Sequence, residues 1–220
     1  MATVAGTREV RREARKARLV QAALRLFAVD GFNETSVDDI VAGARTSKSA
    51  FYEFWTSKED CVRDLLEEHG GALIADVFAA SAEGADHRDR LRRGIARFVR
   101  YCAGQAELAR LLLVESVGVN PAVEDARHRV LGRFAHIVEA EVRAHGAGDP
   151  FYREIDPEVF GRAVVGAAYE ATAHFLVDPD TDVEALIRGL CAIFAPSHSR
   201  LADDARSATQ ADPDAGRRPA

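Results

Sequence analysis

The feature that most constrains this chain is a helical apolar rhythm, punctuated by capping residues, that runs from Lys16 to about Ala195. Leu19, Ala23, Leu26 and Phe27 follow Lys16 at the spacing that lines one face of an amphipathic helix. Gly31 stands where a left-handed C-terminal cap is needed, with Phe32 behind it as an apolar latch. Thr35-Ser36 opens a short second helix. Either hydroxyl can cap it, because each has an acid three residues on, Asp38 or Asp39. Val37, Ile40, Val41 and Ala44 form its narrow apolar face. Arg45-Thr46-Ser47 breaks the pattern, and Thr46 or Ser47 can cap a third helix reaching about Trp55. Ser57 with Asp60 boxes a fourth, with Cys61, Leu65 and Ile74 on its apolar side.

The same grammar continues downstream. Asp86 precedes a helix carrying Leu91, Ile95, Phe98 and Val99, and a shorter one is expected from about Glu107 to Val117. Asn120-Pro121 and Asp156-Pro157 each pair a cap with proline at the first helical position. Thr181 with Glu184 boxes a last helix that ends before Pro196. Gly146 to Asp149 reads as a loop, and residues 197–220 are polar, aperiodic and expected to be a disordered tail. No strand-like alternation, Gly-rich phosphate loop or internal repeat interrupts the series, so the expected class is all-α.

Composition narrows the function classes. Hydrophobic residues are 47% and charged residues 29%, a globular balance, and 220 residues bury enough surface to need no disulfide or metal staple. The cysteines (Cys61, Cys102, Cys191) are odd in number and far apart, which removes a disulfide framework and a zinc finger. They are expected to be buried and inert. No apolar run is long enough to span a bilayer and no apolar segment follows the basic N-terminus, so a cytoplasmic protein without a membrane partner is expected. The sequence lacks HExxH, paired ExxH motifs and a nucleophile elbow, which argues against a helical-bundle enzyme. No cofactor is expected, and no metal.

Net charge is −6, but it is unevenly spread. Residues 1–60 hold ten Lys/Arg against nine Asp/Glu, leaving 19 against 26 for the rest, about +1 against −7. Arg8, Arg11, Arg12, Arg15, Lys16 and Arg18 cluster in a basic arm. A basic end on an acidic body suits a protein of which one end meets phosphate.

Residues 16–55 describe three helices, the second and third short and about three residues apart: the helix-turn-helix layout. The third opens with small or polar residues (Ser47, Lys48, Ser49, Ala50) that permit close approach to base edges. It then turns aromatic (Phe51, Tyr52, Phe54, Trp55), with Phe51 and Trp55 spaced to seat it on its own core. The helix N-termini near Ser36, Ser47 and Ser57 present free N–H groups to phosphate.

The run GFNETSVDDIVAGARTSKSAFYEFWTSKEDC resembles the N-terminal domain of the TetR family of bacterial transcriptional regulators over about residues 12–70. The matching elements are Gly31-Phe32, Thr35-Ser36, Ile40-Val41, Ser47-Lys48, Phe51-Tyr52, Phe54-Trp55 and Ser57-Lys58-Glu59. Two positions depart: the family usually has Gly where this chain has Arg45, and often Gly where it has Ser49. The resemblance implies an all-helical homodimer that binds double-stranded palindromic operator DNA and represses until a small molecule enters the C-terminal body. It implies that Thr35, Ser36, Tyr52 and Lys58 meet phosphates while Thr46, Lys48, Ser49 and Ala50 lie nearest the bases, with Ser47 also on the DNA-binding surface. The alternative for Tyr52 is a core tyrosine with its hydroxyl at the rim. Lys58 opposes its own helix dipole, which favours an anionic partner.

The resulting division is a basic N-terminal arm (1–15), a DNA-binding domain (16–56), a ligand-binding and dimerisation domain (57–196) and the tail. By the family's layout the last two long helices make the dimer seam, here through Gly161, Val165, Gly166, Tyr169, Leu186, Leu190, Ile193 and Phe194. An intramolecular core would show the same pattern. The unknown, largely hydrophobic small-molecule effector is expected among Phe98, Tyr101, Leu112, Glu115, Phe134, Ile137, Tyr169, Glu170 and His174. Aromatic stripes of this kind are also ordinary core. Glu170 and His174, four residues apart, read as a local hydrogen-bonded pair before they read as metal ligands. The rival to an effector-controlled regulator is one controlled by a protein partner; an enlarged pocket in the body favours the first and a filled core the second.

Overall fold

A computed structural model describes residues 2–178 and 182–196, with side chains from Arg8 onward. The elements are α1 (Ala2–Val29), α2 (Val37–Gly43), α3 (Lys48–Tyr52), α4 (Lys58–Ala82), α5 (His87–Gly104), α6 (Ala106–Arg110), α7 (Pro121–His145), α8 (Pro157–Val177) and α9 (Val183–Phe194). A π-helical turn, Leu111–Glu115, extends α6, and a 3-10 turn, Gly146–Gly148, follows α7. Among the described residues there is no strand.

The caps explain most boundaries. Ser36, not Thr35, caps α2: its hydroxyl accepts from Asp39 N–H while the Asp39 carboxylate accepts from Ser36 N–H. Ser47 caps α3, Ser57 caps α4 and Asp86 caps α5. Asn120 and Asp156, each with proline next, cap α7 and α8. Asp182 caps α9, and Thr181 lies outside the described residues, as does the expected tail.

Three elements differ from expectation. α1 starts at Ala2, so the basic arm is the first turns of one long helix rather than a separate segment. α3 ends at Tyr52, because the Phe54 and Trp55 N–H groups both turn back onto Phe51 O and the chain drops Trp55 into the core. The helix expected at 107–117 is α up to Arg110 and π beyond it, with Leu111, Leu112 and Leu113 all buried.

α1 to α3 form a head, and α4 starts in it and runs on into the body, so a single hydrophobic core links the two. In the body α4 packs on α5 and α7, α7 on α8, and α9 on α5 and α8. Gly161 is where α8 meets α7 most closely: a Cβ there would stand 2.4 Å from Ala135 O. At the far end Arg88, 1% exposed, forms a bidentate ion pair with Asp149 and donates to Pro196 O. Tyr152 donates to Phe194 O (2.9 Å). This clasp ties the start of α5, the α7–α8 connection and the end of α9, and the Arg88 guanidinium holds the Asp149 carboxyl well below the usual carboxylate range.

Candidate nucleic-acid interface and effector cavity

The head presents a short helix on an aromatic seat. Phe51 and Trp55 are buried with ring centroids 5.2 Å apart, and Trp55 Nε1–H donates to Asp64 at the start of α4 (2.9 Å). Arg12 of α1 lies over the Phe54 ring (4.8 Å), and Arg15 pairs with Glu53 (3.2 Å), so the early turns of α1 brace the end of α3. Fixed in this way, α3 turns Ser47, Lys48, Ser49 and Tyr52 outward, with Thr46 and Ser36 alongside. Lys48 makes an exposed ion pair with Asp38 (2.9 Å), which a phosphate can replace at little cost. Asp39 sits below the usual carboxylate range because the Ser36 hydroxyl and N–H both bond it.

Three residues expected on this surface are placed elsewhere. Thr35 is 2% exposed and its hydroxyl donates to Gly31 O (2.8 Å), so it closes the α1–α2 turn. Ala50 is also 2% exposed, on the core side of α3. Lys58 reaches back from α4: its Nζ donates to Phe32 O (2.6 Å) and Thr35 O (2.7 Å), and lies 4.1 Å from the Phe32 ring centroid. Its ammonium group replaces the missing donors of an irregular turn.

Arg45, which stands where the TetR pattern usually has glycine, takes a glycine-like backbone. Its φ is +51°, the left-handed region that glycine enters freely and arginine does not. The side chain is exposed.

The body holds a cavity of about 420 Å³ between α4, α5, α7 and α8. Its walls are mainly apolar, with Val77, Leu91, Ile95, Phe98, Phe134 and Ala168 among them. Phe98 and Phe134 meet edge to face, 5.8 Å between centroids. Polar groups sit at one end, where Arg90 pairs with Glu141 (3.3 Å) and the Ser81 hydroxyl donates to Arg90 O. Of the residues expected to meet an effector, Phe98, Phe134 and Ile137 line this cavity. Tyr101 and Leu112 are part of other packing, and Glu170 and His174 are exposed on α8 and make no hydrogen bond to each other.

The other two, Glu115 and Tyr169, connect the body to the head. Tyr169, one residue beyond the cavity-lining Ala168, donates through its hydroxyl to Leu113 O in the π turn (2.7 Å). Glu115, at the end of that turn, accepts from Phe32 N–H at the end of α1 (3.2 Å) and lies 3.6 Å from Arg110. Burial raises the Tyr169 hydroxyl above its ordinary pKa, so it remains a donor.

The expected dimer seam is divided. Gly161 and Leu190 are buried within the chain, Val165 lines the cavity, Tyr169 bonds the π turn and Phe194 packs on Phe160. Leu186 is half-buried, while Gly166 and Ile193 are exposed, and Val159 on α8 joins them as an exposed apolar residue. Cys61 and Cys102 are buried and Cys191, against expectation, only half-buried; desolvation pushes Cys102 up to about 12 and raises Cys61 and Cys191, so all three are poor thiolates. Among the described residues no group of three metal-ligating side chains converges, and no helix is long and apolar enough to cross a membrane.

A short helix presented beyond a capped turn, joined to a helical body with a cavity, defines a helix-turn-helix regulator. Residues 19–65 match the family model described as bacterial regulatory proteins, tetR family, so the head is similar to the DNA-binding domain of that family of transcriptional regulators. The chain is 27% identical over 112 residues to the HTH-type transcriptional activator FasR of Mycolicibacterium smegmatis, 51% of either chain. It is 32% identical over 68 residues to the DNA-binding transcriptional repressor TetR of Mycobacteroides abscessus, 31% of this chain and 36% of that one. The chain thus spans about half or less of the length of these curated relatives. Its fold is that of the transcriptional regulator FadR from Bacillus subtilis, solved in complex with stearoyl-CoA: TM-score 0.74, 20% identity, covering 83% of this chain and 100% of that one.

Proposed function

We propose that this protein is a cytoplasmic, homodimeric transcriptional repressor, not an enzyme, that leaves a palindromic operator when a largely hydrophobic effector fills the cavity of its body. The observation that carries this reading is the cavity itself together with its connection to the head. α8 supplies Val164, Val165 and Ala168 to the cavity wall, and the next residue, Tyr169, bonds the π turn whose Glu115 holds Phe32 N–H. An occupant that shifts α8 therefore acts on the end of α1 through two hydrogen bonds. A π turn is a strained, register-shifted element suited to such a change. The volume lies within the range of small-molecule sites, and the apolar walls with one polar end fit an acyl chain bearing a polar head. The stearoyl-CoA bound by the Bacillus subtilis neighbour makes acyl-CoA thioesters the first class to test. An open cavity of this size favours an effector over control by a protein partner. The exposed Val159, Gly166 and Ile193 on α8 and α9 are the surface on which a second copy would seat.

The test is Phe134→Ala, which widens the cavity wall at a stability cost of about 3 kcal/mol. The folded variant keeps the DNA affinity of the unliganded protein and changes its affinity across a chain-length series of acyl-CoA thioesters. Unchanged affinities across the series would place the effector somewhere else.

A further inference from the structure

The polar end of the body's cavity holds one group that the packing leaves unanswered. Among the described residues Arg90 is the only cavity-lining side chain with a buried polar atom, its Nε, that has no hydrogen-bond partner. The stem of that side chain is held in place. Gly84, in the α4–α5 connection, lies so close that a Cβ there would stand 2.5 Å from Arg90 N and 2.7 Å from its Cγ. From α4 the Ser81 hydroxyl donates to Arg90 O (2.9 Å). The guanidinium end is tied to α7, where Nη1 lies 3.3 Å from Glu141 Oε1. A fixed, buried N–H without a protein acceptor is uncommon, and in a cavity wall it suits an acceptor on the occupant.

Charge selects the kind of acceptor. Glu141 already balances Arg90, so a carboxylate brought to Nε would meet a like charge held against the same guanidinium. A neutral carbonyl oxygen accepts the N–H without that repulsion. The other titratable groups nearby are engaged: His145 Nδ1 also faces Glu141 (3.2 Å) and does not line the cavity, and His136 at the rim faces Glu139 (3.3 Å). Position sets the direction of the chain. Arg90 and Phe98 both stand in the wall, about 12 Å apart along α5. An occupant with its carbonyl at Arg90 therefore runs its apolar part toward the Phe98–Phe134 pair.

Resting on the effector reading above, we infer that Arg90 selects the head of the effector: its Nε–H donates to a neutral carbonyl oxygen, as in an acyl ester or thioester, while Glu141 excludes the free fatty acid. The apolar walls supply affinity for any chain, and this donor with the carboxylate beside it decides which acyl derivative is bound.

The probes are methyl dodecanoate and dodecanoate, which share a chain and differ at the head. Each is titrated by calorimetry into the full chain at about pH 8, where a carboxylic acid is ionised. Arg90→Lys keeps a cation beside Glu141 and removes the Nε donor. It is expected to weaken the ester about tenfold and to change dodecanoate by less than about threefold. Glu141→Gln is expected to leave the ester within about threefold and to strengthen dodecanoate about tenfold, because the guanidinium is then free to take a carboxylate. Thermal unfolding shows that each variant is folded, and Arg90→Met takes the place of Arg90→Lys if the latter is not. An ester affinity untouched by the loss of Nε overturns the hydrogen bond, and equal losses for both probes overturn the selection. Dodecanoate that gains nothing in Glu141→Gln overturns the exclusion. Binding of both probes that ignores Arg90 removes Arg90 alone and leaves the effector reading standing. Failure of the wild-type protein to bind either probe overturns that reading as well.

Discussion

Lys58 can serve the head either as a phosphate contact or as a brace for the α1–α2 turn, and its removal distinguishes the two. As a phosphate contact, Lys58→Met would leave stability within about 0.5 kcal/mol, as for most surface changes, and make the salt slope of DNA binding shallower by about 0.9. The structure gives it another task. Its ammonium group donates at 2.6 and 2.7 Å to the carbonyls of Phe32 and Thr35 and stacks on the Phe32 ring. A hydrogen bond from a charged donor contributes about 1.5–3 kcal/mol net, and an accessible cation–π contact about 0.5–1. Both carbonyls are only part-buried and gain some water when the lysine is lost. The expected cost is therefore about 2–4 kcal/mol, or roughly 4–16 °C in melting temperature for a domain of this size. Urea unfolding of wild type and Lys58→Met measures it, with the salt slope measured on the same samples. A variant as stable as wild type but with a shallower slope would refute the assignment of Lys58 to the turn.

Three further outcomes follow from the packing. Gly161→Ala should cost about 1–3 kcal/mol in urea unfolding, because its Cβ would stand 2.4 Å from the Ala135 backbone oxygen; a wild-type midpoint would mean that α7 and α8 give way freely. Asp149→Asn should cost about 3–5 kcal/mol by leaving Arg88 charged and unpaired in the interior, and a loss below about 1 kcal/mol contradicts the clasp. Because the folded-state pKa of Asp149 is depressed, its contribution is full above its unfolded value of about 3.9 and fades as pH falls below it; the acid limb of a stability–pH curve should flatten in the variant. Arg45→Gly should raise stability by about 0.5–1 kcal/mol, and a loss of stability would show that Arg45 is not strained.

Local order was readable from sequence where it is set locally. Ser36, Ser47, Asn120 and Asp156 were each marked by side-chain chemistry and the residues next to them, and each caps the helix expected. Choosing Ser36 over Thr35 required knowing that Thr35 is buried against Gly31, which depends on how α1 meets α2. Periodicity finds a helix face but not depth along it. Phe98, Phe134 and Ile137 line the cavity, while Tyr101 and Leu112, equally apolar by pattern, do not. The same limit split the expected seam, since Gly161 and Leu190 face inward and Gly166 and Ile193 outward. Contacts between residues distant in the chain carried no signal: Arg88 and Asp149 are 61 positions apart, and Phe32 and Glu115 are 83. The π turn was equally hidden, because Leu111 to Leu113 suit an α-helix as well.

The central claim, that an occupant of the cavity and DNA oppose one another, is a statement about coupling free energy and is measured as such. Affinity for a bound genomic fragment is determined with and without saturating long-chain acyl-CoA, and affinity for the acyl-CoA with and without the fragment. Linkage requires the two ratios to be equal, and the account predicts a common factor of about 5 to 150 in the direction of mutual weakening. Acyl-CoA that binds in the cavity and leaves DNA affinity unchanged would contradict it.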